Sequence, residues 1–140
     1  MTFREATLSD SAELSGLNFQ LIRDEGHRNR MTISELEARM RKWLSGEYRA
    51  VIFEDAGEIV AYALYREQPE EIYLRQLFVV RHRRSRGIGR TVMEMLRNRI
   101  WSKTKRLTVE VLVANERAVK FWRSVGYRDY ALSLEILPES

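Results

Sequence analysis

Residues 77–101 place a buried strand, a turn rich in arginine and glycine, and a helix directly after one another. Four consecutive apolar residues, 77–80, are typical of a strand that is covered on both faces. From Ile88 to Trp101 the apolar side chains recur at helical spacing. The ten residues between strand and helix, 81–90, include five arginines and two glycines. The sequence therefore predicts a strand, a turn and a helix in direct succession, and the rest of the chain is interpreted around them.

The turn has the properties of an anion-binding site. Gly87 and Gly89 lack a Cβ, so the backbone can take positive φ and its amides can approach a ligand closely. The first amides of a helix have no intrahelical partner, and the helix dipole favours negative charge there. Pyrophosphate is the most natural anion for such a site, and a solvated arginine surface is the alternative. The chain lacks the Lys-Ser or Lys-Thr of a P-loop, and Val92 excludes the dinucleotide-binding glycine fingerprint.

Composition narrows the class of protein further. The 140 residues, 44% hydrophobic and 31% charged, suit one globular domain. The absence of cysteine excludes disulfides and an acyl-cysteine intermediate, and two histidines do not make a histidine-rich metal site, so we expect no metal. The net charge of +4 suits an anionic ligand or nucleic acid. With no long apolar stretch and no signal peptide, we expect a cytoplasmic protein with no membrane partner.

The remaining periodicities predict one α+β domain over residues 1–140. Strands are expected at 3–6, 48–54, 58–65, 72–80 and 106–113, with one or two more within 127–137. Helices are expected after Ser9 or Asp10 as far as Gly26, over 36–44, over 88–101 and from Asn115 to Val125. Either Thr32 with Glu35 or Ser34 with Glu37 caps the second helix. The order β-α-α-β-β-β-α-β-α-β describes a mixed, mostly antiparallel sheet of six or seven strands flanked by about four helices.

The spacing Arg84-x-x-Gly87-x-Gly89 resembles the acyl-CoA signature R/Q-x-x-G-x-G/A of the GNAT superfamily of N-acetyltransferases. The block from Asn115 to Tyr127 is similar to the family's N-x-x-A-x-x-F-Y-x-x-x-G-F, with two changes. The resemblance covers essentially the whole chain. It implies the GNAT fold and an enzyme that transfers an acetyl group from acetyl-CoA to an amine by direct attack in a ternary complex. A small amine, an amino acid and a protein amine all remain open as acceptors.

The resemblance also implies which residues bind acetyl-CoA. The fourth and fifth strands of the family splay apart, and the backbone of a segment matching 78–80 pairs with the pantetheine arm. The implied cofactor-binding residues are Phe78, Val79, Val80, Arg84, Ser85, Arg86, Gly87, Ile88, Gly89, Arg90, Asn115 and Trp122. Asn115 is first a helix cap. Arg81 and Arg83 either contact the 3′-phosphate of the nucleotide or belong to a solvated surface.

The catalytic groups are less sharply defined. Attack on a thioester needs a neutral amine, so a group must accept a proton directly or through water. The candidate bases are Glu25, Glu71 and Glu110. Trp122 stands where the family usually has a tyrosine that protonates the leaving thiolate, and an indole N–H is too weak an acid for that role. Either Tyr127, Tyr130 or another tyrosine replaces it, or the thiolate leaves without a protein acid.

For the acceptor we single out Asp24, Glu25 and His27, which suit a cationic amine or form a solvated loop. Gln76 is a further candidate, because with Arg75 it could orient a carboxylate or carbonyl of the acceptor. Strand alternation predicts that Arg75 and Gln76 lie on opposite faces of the sheet.

Two other functions fit parts of the sequence. A degenerate member of the family would bind acyl-CoA as a regulatory ligand without catalysis, and Trp122 keeps that alternative open. A nucleic-acid-binding module would use the arginines of 81–90, but it predicts aromatic residues among them and that run has none. We therefore expect no nucleic-acid partner. Monomer and homodimer both stay open.

Overall fold

The structure, a computed structural model, describes residues 1–26 and 28–139. The chain divides into two compact units, residues 1–110 and 111–140, and each is taken by itself.

The first unit is built on a five-stranded sheet in the order β1-β2-β3-β4-β5. The strands are β1 Thr2–Glu5, β2 Tyr48–Asp55, β3 Glu58–Glu67, β4 Glu71–Val79 and β5 Arg106–Val109. The first four pair antiparallel, and β5 pairs parallel to β4. The turn between β2 and β3 places Ala56 at φ 52° and Gly57 at φ 80°. Two successive positive φ values match the right-handed twist of a tight hairpin, as expected from the Asp-Ala-Gly sequence.

Three helices accompany this sheet: α1 Ser11–Glu25, α2 Ile33–Leu44 and α3 Ile88–Met95. A π-helical turn, Leu96–Ile100, continues α3, so the helical segment ends close to the predicted Trp101. Gly26 ends α1 in the left-handed conformation, also as predicted. The α2 helix packs on the face of the sheet that carries Tyr48, because the Tyr48 and Trp43 rings are 5.5 Å apart.

The opposite face of the sheet is covered by the end of the π-helical turn. The neighbouring residue Arg49 points away from the Tyr48 side and is in register with Tyr65. The Tyr65 ring lies 5.4 Å from the Trp101 ring, edge to face. Both faces of β3 are therefore covered, which explains why residues 60–65 are all buried.

In the second unit, residues 111–139 contain one helix, α4 Glu116–Ser124. The Asn115 side chain caps it by accepting from the Ala118 N–H at 3.2 Å, as the sequence predicted. In the last turn of α4, Arg123 forms a two-bond ion pair with Asp129, with N–O distances of 2.9 and 2.7 Å.

The prediction of six or seven strands is wrong, because residues 127–139 form no strand and the sheet has five. Apolar side chains alternate along this segment at Tyr130, Leu132, Leu134 and Ile136, and they are largely exposed, Ile136 to 98%. Alternation shows which face of a strand would be buried, but a strand also needs a partner backbone. The fifth strand is likewise shorter than predicted, and ends at Val109 rather than Val113.

The structure decides between the two caps considered for α2. The Thr32 side chain accepts from the Glu35 N–H at 3.2 Å, and Glu35 accepts from the Thr32 N–H at 2.9 Å. We expect Thr32→Ala to lower the free energy of unfolding by about 1 kcal/mol, because it leaves an amide of the first turn without its acceptor. Denaturant unfolding measures the loss. Ser34→Ala is the matched control, and an equal loss in that variant would contradict the assignment.

Candidate functional site

The strand, turn and helix predicted around residues 77–101 are present. After β4 the chain makes a 3₁₀ turn over Arg81–Arg83, and Gly87 then caps the N-terminus of α3. Ser85 (φ 64°) and Gly87 (φ 75°) both take the left-handed conformation. Left-handed residues near a helix start turn successive amides toward a common point, which is the backbone geometry of an anion nest. A Cβ added at Gly87 would meet no atom within 4 Å, so the turn is open at this point.

Carboxylates hold Arg81, Arg83 and Arg84 of the turn. The Asp24 carboxylate accepts from Nη2 of Arg81 and from Nη2 of Arg84, both at 2.7 Å. Arg83 donates to Asp55 at 2.9 Å. The turn is thereby tied to the end of α1 and to the hairpin between β2 and β3.

Arg84 points into the protein rather than out to solvent. Its Nε donates to the Val79 carbonyl at 2.8 Å, and its guanidinium carbon lies 5.1 Å from the centre of the Phe78 ring. In this arrangement Arg84 fixes the exit of β4. Arg86, by contrast, is exposed. An anion at this turn would therefore depend mainly on backbone amides and on Arg86.

The edge of β4 that faces β5 is open near this turn. Pairing between the two strands runs from Glu71↔Arg106 to Leu74↔Val109 and ends there. On this side no strand among the described residues pairs with 76–79. An extended ligand could form main-chain hydrogen bonds along this free edge.

The direction of the β4 backbone groups decides which residues serve that edge. The Val80 N–H donates to the Val60 carbonyl at 2.9 Å, toward β3. Antiparallel pairs alternate, so Phe78 also bonds toward β3, while Leu77 and Val79 turn their amides outward. Of the three residues expected to pair with the pantetheine arm, the geometry favours Val79, and it adds Leu77.

Two of the predicted acceptor-binding residues are associated with a buried tyrosine that the sequence analysis missed. The Tyr62 hydroxyl donates to Gln76 Oε1 at 2.9 Å. Burial raises the pKa of Tyr62; the negative charge of Glu25 raises it further, and the positive charge of Arg39 opposes both. Tyr62 is an aromatic residue in a strand of apolar neighbours, and its need for a buried hydroxyl partner was the available signal. His27 lies outside the described residues.

The prediction that Arg75 and Gln76 lie on opposite faces is wrong. The register passes from Tyr65↔Leu74 to Leu64↔Gln76, so Arg75 is an extra residue in a β-bulge. Its guanidinium reaches the Trp43 ring of α2, 4.8 Å from the centroid. Gln76 bonds to Tyr62, which lies on the Tyr48 face because Tyr48 is in register with Arg66, four residues further along β3. Because the bulge interrupts the alternation, both side chains lie on the face of the sheet that carries Tyr48 and packs against α2.

Of the candidate bases, Glu71 lies at the end of β4 that is far from the turn, whereas Glu110 directly follows Val109, the last paired residue of β5, and so borders the start of the open edge. Glu71 accepts from the Thr108 hydroxyl at 2.5 Å, at the start of β4. Phe78 lies seven positions further along the strand, a distance of about 20 Å. Glu110 accepts from the Tyr73 hydroxyl at 2.7 Å, and burial together with this bond raises the pKa of Tyr73.

In the second unit, Trp122 packs among aromatic rings. Its ring is 5.0 Å from Phe121 and 5.5 Å from Tyr127, edge to face in both pairs. Tyr130 is 85% exposed. Asn115 holds the N-terminus of α4 through its bond to Ala118.

Across residues 1–26 and 28–139, none of the helices has the length and apolar character needed to cross a bilayer. Within the same residues, no three histidine or acidic side chains are grouped so as to hold a metal ion.

Among the acidic residues near the turn, Asp24 should contribute most to the free energy of unfolding. Its burial opposes ionisation, but the hydrogen bonds and charges of Arg84 and Arg81 outweigh burial and hold its pKa below the usual value. We expect Asp24→Asn to lower the free energy of unfolding by about 1 kcal/mol at pH 6. A depressed pKa stabilises the fold above the unfolded-state value near 4, so the difference should narrow as the pH falls below about 4. Denaturant unfolding at several pH values measures both effects.

Glu37 provides the matched control, because it pairs with Arg41 on the exposed surface of α2 at 3.4 Å. Glu37→Gln should change stability by less than about 0.5 kcal/mol. Equal losses in the Asp24 and Glu37 variants would show that the double ion pair does not anchor the turn.

The fold is shared with solved acetyltransferase structures. A mutant of the BH1408 protein from Bacillus halodurans superposes with a TM-score of 0.81 and 24% identity, covering 99% of this chain and 100% of the other. A predicted acetyltransferase with acetyl-CoA from Clostridium acetobutylicum gives 0.74 and 17%, covering 97% and 95%. The aminoglycoside N-acetyltransferase AAC(6′)-Iy in complex with CoA gives 0.76 and 13%, covering 99% and 95%. No curated protein sequence matches this chain.

The sequence itself identifies the family. The model of the acetyltransferase (GNAT) family matches residues 19–127, which is most of the chain and includes the turn at 81–90 and the block that begins at Asn115. The strand–turn–helix order and the open edge of β4 agree with that match. The chain belongs to the GNAT family of acetyltransferases.

Proposed function

We propose that the 140 residues act as one N-acetyltransferase domain that transfers the acetyl group of acetyl-CoA to an amine by direct attack. The observation that carries the proposal is the turn before α3, where Ser85 and Gly87 take left-handed φ values at a helix start and the space beside Gly87 is open. This turn lies at the end of the β4 edge that no described strand covers.

The residues present fit the chemical parts of the cosubstrate. Amides of 85–90 and the exposed Arg86 would hold the pyrophosphate, since a helix start and a nest both favour anions. The outward amides of Leu77 and Val79 would pair with the pantetheine arm as a strand would. An amide at this point would also stabilise the oxyanion that forms when the thioester carbonyl is attacked. By resemblance, Asn115 and Trp122 add further cofactor contacts.

The chemical step forms a bond between the acceptor nitrogen and the acetyl carbon and breaks the bond from that carbon to sulfur. One proton of the acceptor ammonium must leave before attack and a second leaves the nitrogen as the amide forms, while the sulfur departs as thiolate and takes up one proton to give the CoA thiol. We propose Glu25 as the proton acceptor, directly or through water, because its charge acts on Tyr62, which bonds Gln76 two residues before Phe78. Tyr127 and Tyr130 remain the proposed sources of the proton for the thiolate.

A second candidate function is acyl-CoA binding without catalysis. Trp122 favours it, because this residue occupies the position of the family's acid and cannot act as one. The expectations of a cytoplasmic location, of no metal requirement and of no nucleic-acid partner belong to the proposal in either form.

Gly87→Trp should abolish acetyl-CoA binding, because the new side chain would fill the open space beside the turn. Gly87→Ala carries the same left-handed backbone strain, about 1 kcal/mol, with little bulk. Calorimetric titration of acetyl-CoA and CoA should therefore show binding to the wild type, weaker binding to the alanine variant and none to the tryptophan variant. Wild-type protein that binds neither ligand would refute the assignment of the site.

Glu25→Gln should lower kcat by roughly 10²- to 10⁴-fold if Glu25 is the base, with little change in acetyl-CoA binding. Release of CoA thiol in a screen of amine acceptors provides the assay. Glu71→Gln is the control far from the open edge, and Glu110→Gln tests the candidate whose carboxylate is already bonded to the Tyr73 hydroxyl, so we expect each variant to retain most of the activity. Equal losses in all three variants would contradict the choice of Glu25. Binding without turnover of any acceptor would favour the regulatory alternative.

A further inference from the structure

Three arginines surround a short row of aromatic rings on the face of the sheet that packs against α2. The guanidinium carbons of Arg39 and Arg75 lie 4.3 and 4.8 Å from the centre of the Trp43 ring. Arg66 lies 5.6 Å from the centre of the Tyr48 ring, and Arg75 donates to the Tyr48 hydroxyl at 3.3 Å. We call Arg39, Arg66 and Arg75 the arginine cluster.

The cluster has an excess of positive charge and of hydrogen-bond donors. Among the ion pairs of the described residues, none joins a carboxylate to Arg39, Arg66 or Arg75. Arg39 donates to the amide oxygen of the fully buried Asn18 at 3.1 Å. The Nε atoms of Arg39 and Arg66 are buried and have no acceptor within the described chain. Buried donors normally have acceptors, so this cluster is incomplete as it stands.

The electrostatics of Arg39 indicate what is missing. Its pKa is lowered first by burial and then by the positive charge of Arg75. Cation–π contacts stabilise each guanidinium by about 0.5–2 kcal/mol but do not neutralise it. An anion would reduce the repulsion and supply acceptors at once. Arg75 is exposed, so a ligand from solvent can reach it.

The position of Arg75 relates the cluster to the proposed site of acetyl transfer. Arg75 is the bulge residue of β4, and Gln76, the next residue, bonds to Tyr62. Phe78 follows three residues after Arg75, about 10 Å along the strand. The negative charge of Glu25 acts on Tyr62 from the same side. The negative charge of Glu25 and the positive charge of Arg39 therefore both act on Tyr62, the partner of Gln76.

We propose that the arginine cluster binds a carboxylate of the acceptor, so that the acceptor is an amine that also carries a carboxylate. This inference rests on the proposed function. The amine would lie toward Glu25 and Phe78, and the carboxylate would accept from Arg75 and Arg39. Guanidinium–carboxylate bonds are charge-assisted and directional, which suits recognition of this group. The same cluster repels polycationic acceptors such as the aminoglycosides, which one structural neighbour is named for acetylating.

The test compares acceptors that differ only in this group. Glycine, β-alanine, 4-aminobutanoate, 6-aminohexanoate and the common amino acids are each assayed beside the matching primary amide and beside an aminoglycoside. We expect kcat/KM for the best acid to exceed that for its amide at least tenfold. Arg75→Gln should remove this preference through KM and leave the KM for acetyl-CoA unchanged. Arg75→Lys, which retains the charge but not the planar fork, should fall between the two.

Arg49 provides the matched control variant, because it is an exposed strand arginine on the opposite face of the sheet. Arg49→Gln removes the same unit of charge and should leave the preference for acids intact. Equal use of acids and amides, preference for the aminoglycoside, or equal effects of the Arg49 and Arg75 variants would each overturn the inference.

Binding separates this inference from the proposed function. Absence of acetyl-CoA binding would refute the function, whatever the acceptor. If acetyl-CoA binds but no acceptor turns over, calorimetry of the CoA-loaded protein with glutarate and glutaramide replaces the assay. Binding of glutarate that weakens at least tenfold in Arg75→Gln supports the carboxylate site. No binding, or binding that the variant does not change, overturns it.

Discussion

The incomplete pairing of β4 is the constraint on which the rest of the structure depends. Along its first half the strand is paired on both sides, and from Arg75 onward β3 is its only partner among the described residues. The bulge at Arg75 changes the face to which the following side chains point. One extra residue therefore directs Arg75 to the face of the sheet that packs against α2. The same residue precedes the free backbone edge that leads to the turn before α3.

The chain divides its positive charge between two settings. In the turn before α3, carboxylates of α1 and of the β2–β3 hairpin hold Arg81, Arg83 and Arg84, so these guanidinium groups stabilise local structure. In the arginine cluster, aromatic rings hold the guanidinium groups, and their charge stays uncompensated within the described chain. Net charge alone does not distinguish these two settings, although they have opposite consequences for binding.

Much of the fold follows from local sequence, and the limits have physical causes. The hairpin at Ala56 and Gly57, the cap at Asn115 and the helix that begins after Gly87 each depend on residues a few positions apart, so their patterns predicted them. The bulge at Arg75 depends on the register between two strands, which no pattern within β4 reveals. The prediction of strands within 127–137 was wrong for the same reason, because alternation around Leu132 does not specify a partner strand.

The candidate site divides in a similar way. The glycine turn was predictable because its conformation needs particular residues, whereas Tyr62, Trp43 and Arg39 were missed. These three look like ordinary core and surface residues in the sequence, and only tertiary structure brings them to the same side of β4.

The double ion pair of Asp24 has a consequence for how such a protein can diversify. Asp24 belongs to α1, the helix that ends at the proposed acceptor side, yet both of its oxygens serve arginines of the turn before α3. A change of acceptor that altered residue 24 would therefore loosen the cofactor side as well. Substitutions that change acceptor specificity can occur in the neighbouring loop and in the arginine cluster. Asp24, by contrast, is constrained by its contacts with the turn before α3, whose role does not depend on the acceptor.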